Sequence, residues 1–402
     1  MVEPQKHSLQ SLESLIHPEV RHLAISGIRQ MANRVAQYKD VLSLTLGQPD
    51  FPTPAHIVDA ANRAASAGKT TYTPNAGLPE LREAAAEFVR RKYGLEYRGA
   101  DETLVTVGAS QAIDMALRTI LTPGAEVVLP GPVYPGYEPL IRMCGATPVY
   151  VDVTGTGFKL TAEALEPALT ERTRCVILAS PSNPTGAALS RDELSALAAL
   201  LAKRDLFVVS DEIYSELVYD RPHASIAAEP GMRERTIVVN GLSKSHSMTG
   251  WRIGFTFAPA YITQHMVKVL QYNVACATSV SQYAALEALT AGFDDALPMR
   301  EQYAVRRDYA FERLARAGFD VVKPEGAFYI FPSVRKFGLD ATTFAYRLLD
   351  ERRVAVVPGT AFTDLGEGYV RLSYACSMET LSAALDRIEA FVGDLRDTTA
   401  RS

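Results

Sequence analysis

Short apolar runs alternate with amphipathic stretches of helical period through the middle of this chain, the pattern of an α/β fold on a mostly parallel sheet. Seven runs read as strands, at 104–107, 126–129, 147–151, 175–179, 206–209, 236–239 and 252–257. The helices between them announce their starts. Ser190-Arg191-Asp192-Glu193 is a capping box ahead of the apolar face of Leu194, Leu197 and Leu201. Residues 1–41 read as a helical arm. From about Ala296 a long charged helix opens a second alternation, with strands at 327–331, 354–357 and 369–373. The expected organisation is a large domain over 42–295 that holds the seven-stranded sheet, and a smaller C-terminal α/β domain over 296–402, which the arm joins. No repeat or low-complexity linker intervenes, so the lobes are expected to be coupled rather than tethered.

Composition narrows the function classes. With 402 residues, 47% hydrophobic and 22% charged, the chain exceeds the roughly 250 to 300 residues at which single cores stop growing. Two lobes are the natural outcome. Basic side chains number 41 against 46 acidic ones, a net charge of −5, which argues against nucleic acid or an anionic membrane surface as principal partner. Residues 1–7 are polar and lack the apolar core of a signal peptide. The strongest apolar helical run, 194–202, is far shorter than the roughly 20 residues of a membrane span. A cytoplasmic protein is expected. Its four scattered cysteines, without a Cys-x-x-Cys pair, read as reduced thiols rather than a disulfide frame or zinc site.

In open parallel sheets ligands bind beyond the carboxyl ends of the strands, so the residues after each apolar run carry the candidate chemistry. After 104–107, Gly108-Ala109-Ser110-Gln111 opens a helix whose N–H groups and Ser110 hydroxyl suit an anion, although Ser110 also fits an ordinary N-cap. After 175–179, the turn Ser180-Pro181-Ser182-Asn183-Pro184-Thr185-Gly186 presents the Asn183 amide in a fixed direction. Asp211 ends the buried run 206–209 with Tyr214 three residues on. After 236–239 comes Asn240-Gly241-Leu242-Ser243-Lys244-Ser245, then Gly250-Trp251-Arg252-Ile253-Gly254. Lys244 alone reads as a solvated surface residue. Beside an acid, an amide and an anion loop it reads otherwise, because an aldehyde cofactor needs an amine for its Schiff base, an acid for its pyridine nitrogen and donors for its phosphate.

With these motifs in this order, joined by Leu46-Gly47-Gln48-Pro49-Asp50-Phe51, Tyr72-Thr73-Pro74 and Val370-Arg371-Leu372-Ser373, the chain resembles the class I aminotransferases of pyridoxal-phosphate fold type I over nearly its whole length. The resemblance implies that Lys244 carries pyridoxal 5′-phosphate as an aldimine and moves the proton between substrate Cα and cofactor. It implies that Asp211 pairs with the pyridinium nitrogen, that Asn183 and Tyr214 bond the ring oxygen, and that Tyr134 stacks on the ring. Phosphate would be held by Ala109, Ser110, Ser243 and Arg252, with Gly108 allowing close approach. Tyr72 would reach the phosphate of the neighbouring subunit, making the active form a homodimer. Arg371, with Gly47 and Asn183, would bind the substrate α-carboxylate, although an arginine on a strand also fits a surface ion pair.

The implied reaction is a ping-pong transfer from an L-amino acid to a 2-oxo acid, with 2-oxoglutarate the expected acceptor. Tyr134 stands where some relatives have tryptophan, which points to a branch of broader specificity. Residues 271–279 are similar to the corresponding segment of bacterial N-acetyl-diaminopimelate aminotransferases. Arg29 in the arm reads either as a partner for a distal carboxylate or as a solvated helix charge. Two other readings remain: a cystathionine β-lyase-like elimination at the same site, and a non-enzymatic effector-sensing domain. The latter kind of protein carries a DNA-binding domain ahead of this part, where here only about 40 residues, not strongly basic, precede Leu42. No Gly-x-Gly-x-x-Gly follows any strand, which disfavours a nicotinamide dehydrogenase.

Overall fold

The computed structural model describes residues 12–401; the polar segment 1–7 lies outside the described residues. Twelve strands follow in chain order: β1 (Leu42–Ser43), β2 (Thr103–Thr106), β3 (Glu126–Gly131), β4 (Thr147–Asp152), β5 (Thr173–Ala179), β6 (Phe207–Asp211), β7 (Thr236–Gly241), β8 (Gly254–Phe257), β9 (Tyr329–Ile330), β10 (Val354–Ala355), β11 (Val357–Pro358) and β12 (Val370–Ser373). Seven of them form one sheet in the order β2-β8-β7-β6-β5-β3-β4, parallel except for β8, which runs antiparallel to both neighbours.

The central strands read as unbroken apolar runs because helices cover both faces of the sheet. Successive residues serve opposite cores, as the two-residue period of a strand requires. Val127, Leu129, Ile177, Val209 and Val239 pack with Ile113 and Leu117 of the helix Gly108–Ile120 and Met266 of the helix Ala260–Asn273. Val128, Val176 and Val208 pack on the opposite side with Leu194 and Leu197 of the helix Arg191–Leu201. That helix begins with the expected capping box, Ser190 accepting from the Glu193 N–H and Glu193 accepting from the Ser190 N–H.

A second core gathers the long helix Ala296–Arg316, the helices Ala341–Arg352 and Met378–Arg401, and strands β9, β10 and β12. The expected single strand at 354–357 is two strands. β10 pairs in parallel with β1, and β11 pairs antiparallel with β12. Val354 through Val357 are all fully buried, so hydrophobicity stays level while the backbone changes partners. The N-terminal arm contributes the helices Pro18–His22 and Gly27–Val35; Arg34 of the second is paired with Asp350 at 2.9 Å. Among the described residues no helix is long and apolar enough to cross a membrane.

Candidate active site

A cavity of about 400 Å³ opens at the carboxyl ends of the parallel strands. Its floor and walls include Ala109, Ser110, Tyr134, Asn183, Asp211, Tyr214, Ser243, Lys244 and Arg252, with Gly47 and Arg371 opposite. The reversed strand explains one member that sequence placed differently. Arg252 does not begin a strand; it stands two residues ahead of β8 in a left-handed conformation with φ of 53°. Because β8 is antiparallel, its start lies against the ends of both neighbours, Gly254 pairing with Thr106 of β2 and Gly241 of β7. The guanidinium is thereby delivered to the anion loop and to the lysine turn at once.

Gly108 lies at the join. Its φ is +74°, and a Cβ there would stand 2.5 Å from Arg252 Nη2, so glycine permits the close approach of the helix start to the guanidinium. Across the cavity, Asp211 at the tip of β6 is buried. Tyr137 donates its hydroxyl to one carboxylate oxygen at 2.6 Å, and the Ile213 N–H donates to the other at 3.2 Å. Burial nevertheless holds the Asp211 carboxyl above its usual value. Lys244 donates its amine to the Gly47 carbonyl at 2.5 Å. Burial and then the nearby Arg371 and Arg252 charges depress it to about 8.

Arg371, on β12, is 1% exposed. It donates to Asn183 Oδ1 at 3.0 Å and to the Thr45 carbonyl at 2.6 Å, while its buried Nε has no partner. Among the described residues the lining therefore holds three cations, Lys244, Arg252 and Arg371, against one carboxylate, Asp211, and no ion pair there involves any of the four side chains. Such a site calls for an anionic guest with one positive point to offer.

A family model described as aminotransferase class I and II matches residues 39–388. The chain belongs to the class I and II aminotransferases. The probable N-acetyl-LL-diaminopimelate aminotransferase of Bacillus subtilis is 60% identical over 381 residues, covering 95% of this chain and 96% of the relative. The aspartate aminotransferase of Pyrococcus abyssi is 45% identical, over 90% and 95% of the two chains. The solved aromatic aminotransferase from Pyrococcus horikoshii shares 44% identity and a TM-score of 0.87, over 91% of this chain and 99% of that one. As an aminotransferase of pyridoxal-phosphate fold type I, the chain depends on pyridoxal 5′-phosphate and moves an amino group from an amino acid to a 2-oxo acid. The relatives are named for this activity, which favours it over elimination and effector sensing.

The aminotransferase site fits that cofactor on its own chemistry. The unpaired buried Asp211 suits a protonated ring nitrogen, and the uncapped start of the helix Gly108–Ile120, with Ser110, Ser243 and Arg252, suits a phosphate. Of the expected cofactor- and substrate-binding residues, Tyr72 and Gly108 do not line this chain's own cavity: Tyr72 is 88% exposed, and Gly108 packs against the Arg252 guanidinium. Arg29 is exposed too, whereas its neighbour Ile28 lines the cavity. Tyr137, Tyr329, Leu46, Gln48 and Thr249 also line it and were not singled out from sequence. Tyr137 sits in an amphipathic stretch and Tyr329 in an apolar run, where either reads as core. The one available signal was Tyr137's place three residues after Tyr134, on the same face of the turn into a helix.

Proposed function

We propose that this aminotransferase acts on an N-acetylated diaminopimelate-type amino acid, with 2-oxoglutarate as acceptor, through the residue roles that follow. The observation that carries the site assignment is the set of three cations and one carboxylate around a cavity at the strand tips. Asp211, oriented by Tyr137, holds a proton on the ring nitrogen. Ala109, Ser110, Ser243 and Arg252 hold the phosphate, and Tyr134 covers the ring. Asn183 and Tyr214 donate to the ring oxygen. Arg371 forks onto the substrate α-carboxylate beside Gly47 and Asn183, which leaves Cα facing the amine of Lys244. Lys244 takes the proton from Cα and later returns one. When bound, the cofactor supplies a protonated ring that accepts the electrons left at Cα.

Two lines support the substrate. Identity to the relative named for N-acetyl-LL-diaminopimelate is 60%, against 45% and 44% for those named for aspartate and aromatic amino acids. The remaining lining near the arm, Ile28, Leu46 and Gln48, is neutral and accommodates methylenes better than a second carboxylate close to Cα. A half-reaction screen tests this: each amino donor is added to cofactor-loaded enzyme, and conversion of the chromophore to its amine form is followed. N-acetyl-LL-diaminopimelate is expected to react fastest. Faster conversion by aspartate or phenylalanine would reassign the substrate.

The active form is a homodimer in which Tyr72 reaches the partner's phosphate. The 88% and 87% exposure of Tyr72 and Tyr272 supports a covering second copy. Four free cysteines support a reducing, cytoplasmic location. The division into an arm over 1–41, a large domain over 42–295 and a small domain over 296–402 passes beside β1, whose pairing with β10 supports coupled lobes. Gly108→Ala checks the phosphate cradle. A left-handed alanine costs about 1–2 kcal/mol, and its methyl group displaces the Arg252 guanidinium. Cofactor retention on dialysis is expected to weaken about tenfold or more, the loss of one charge-assisted hydrogen bond; unchanged retention would remove Arg252 from the cradle.

A further inference from the structure

One buried phenol in the cavity has no part in the roles above. Tyr329 lies on β9, 1% exposed, and pairs in register with Ser373 of β12, two residues beyond Arg371. Its hydroxyl is 2.8 Å from the Tyr214 hydroxyl. The face of its ring carries Arg371, whose guanidinium carbon stands 4.5 Å from the centroid. A Cβ at position 47 would come within 3.1 Å of the same hydroxyl, so Tyr329 also packs on the Gly47 backbone that receives the Lys244 amine. A single side chain of the second core thus touches three residues given roles above, Tyr214, Arg371 and Gly47.

We propose that Tyr329 is a positioning residue with two separable jobs: its hydroxyl fixes the hydroxyl of Tyr214, and its ring face holds the guanidinium of Arg371. With Tyr329 donating to the Tyr214 oxygen, Tyr214's own proton is left for the cavity, and a hydroxyl that accepts one bond donates the next more strongly. The ring face attracts the cation and keeps its fork aimed where a carboxylate docks. Other polar clusters carry less: the half-buried His56 between Glu287 and Asp295 ties helices together, and the buried Glu212 with Ser210, His223 and Ser225 is satisfied within itself.

This inference rests on the reading that Tyr214 donates to the cofactor's ring oxygen, and the test keeps the two apart. Cofactor-loaded wild type, Tyr329→Phe, Tyr329→Leu, Tyr214→Phe and the double variant Tyr214→Phe/Tyr329→Phe are titrated with pH by absorbance, and KM for the amino donor is measured for each single variant. Tyr329→Phe is expected to raise the titration midpoint by about half a unit to one unit, the size of one neutral hydrogen bond, because a weaker donation from Tyr214 favours the protonated chromophore. Its KM stays at the wild-type value because the ring face remains. Tyr329→Leu is expected to raise the midpoint equally and KM about tenfold. The double variant should match Tyr214→Phe alone. A Tyr214→Phe midpoint equal to wild type would overturn the reading of Tyr214 and this inference with it. A shifted Tyr214→Phe midpoint beside an unshifted Tyr329→Phe, or additive shifts in the double variant, would overturn the coupling only. An unchanged KM in Tyr329→Leu would remove the second job.

Discussion

Lys244→Ala is expected to lose turnover by about four orders of magnitude, the upper end of what one positioned acid–base group contributes. The size follows from the lack of a substitute. Among the described residues lining the cavity there is no histidine and no second lysine, and the two arginines do not deprotonate. The phenols of Tyr134, Tyr137, Tyr214 and Tyr329 are all pushed above their usual value, burial being the main cause in each. None of them is a base near neutral pH. Lys244 is the reverse case: an amine lowered to about 8 is partly neutral at mildly alkaline pH, ready to attack an aldehyde and to take a proton.

The sign of the pH effect follows. In cofactor-free wild type, the rate at which this amine combines with added cofactor should rise through a midpoint near 8, well below the range of an ordinary lysine. Single-turnover absorbance with an amino donor measures the variant, and stopped-flow uptake at several pH values measures the wild type. Because Arg252, Ser110, Ser243 and Asp211 are untouched, the alanine variant should still take up cofactor, now reversibly on dialysis. Turnover within tenfold of wild type would remove Lys244 from the reaction.

The same lysine shows why much of the site is legible in the sequence. It comes after an apolar run, as do Ser110, Asn183 and Asp211, and parallel strands end on one edge of the sheet, so four sequence-distant tips must meet. Strand ends were less legible. β3, β6 and β7 run a residue or two past their apolar runs, into Pro130-Gly131, Ser210-Asp211 and Asn240-Gly241, because ladder hydrogen bonds continue where hydrophobicity stops. The opposite failure occurs at 354–357, where uniform burial conceals a change of partner. Chemistry placed by tertiary contact left the weakest trace. Ile28 reaches the cavity because Gly27 packs on Ala361, where a Cβ would stand 2.6 Å from the alanine Cβ, and no period in the arm encodes that approach.

Arg371→Ala should weaken apparent binding of every amino donor by about 2–5 kcal/mol, the range for truncating one member of a desolvated charge pair. That is roughly a thirtyfold to several-thousandfold rise in KM. The geometry argues for a substrate-binding charge rather than a structural one. A structural buried arginine is met by a carboxylate, as Arg307 is by Asp220 at 2.6 Å. Arg371 is met instead by an amide oxygen, a carbonyl and two ring faces, Tyr329 at 4.5 Å and Phe362 at 5.0 Å. Burial pulls its guanidinium below the usual arginine value, the signature of a desolvated charge without its counterion. Removing such a charge also removes its desolvation penalty, so stability and function should part ways. The melting temperature is expected to change little while KM rises steeply, with kcat less affected than kcat/KM. Arg371→Lys should rescue only in part, because an ammonium cannot present the planar two-point fork that a carboxylate accepts. An unchanged KM in the alanine variant, or full rescue by lysine, would show that the α-carboxylate docks elsewhere.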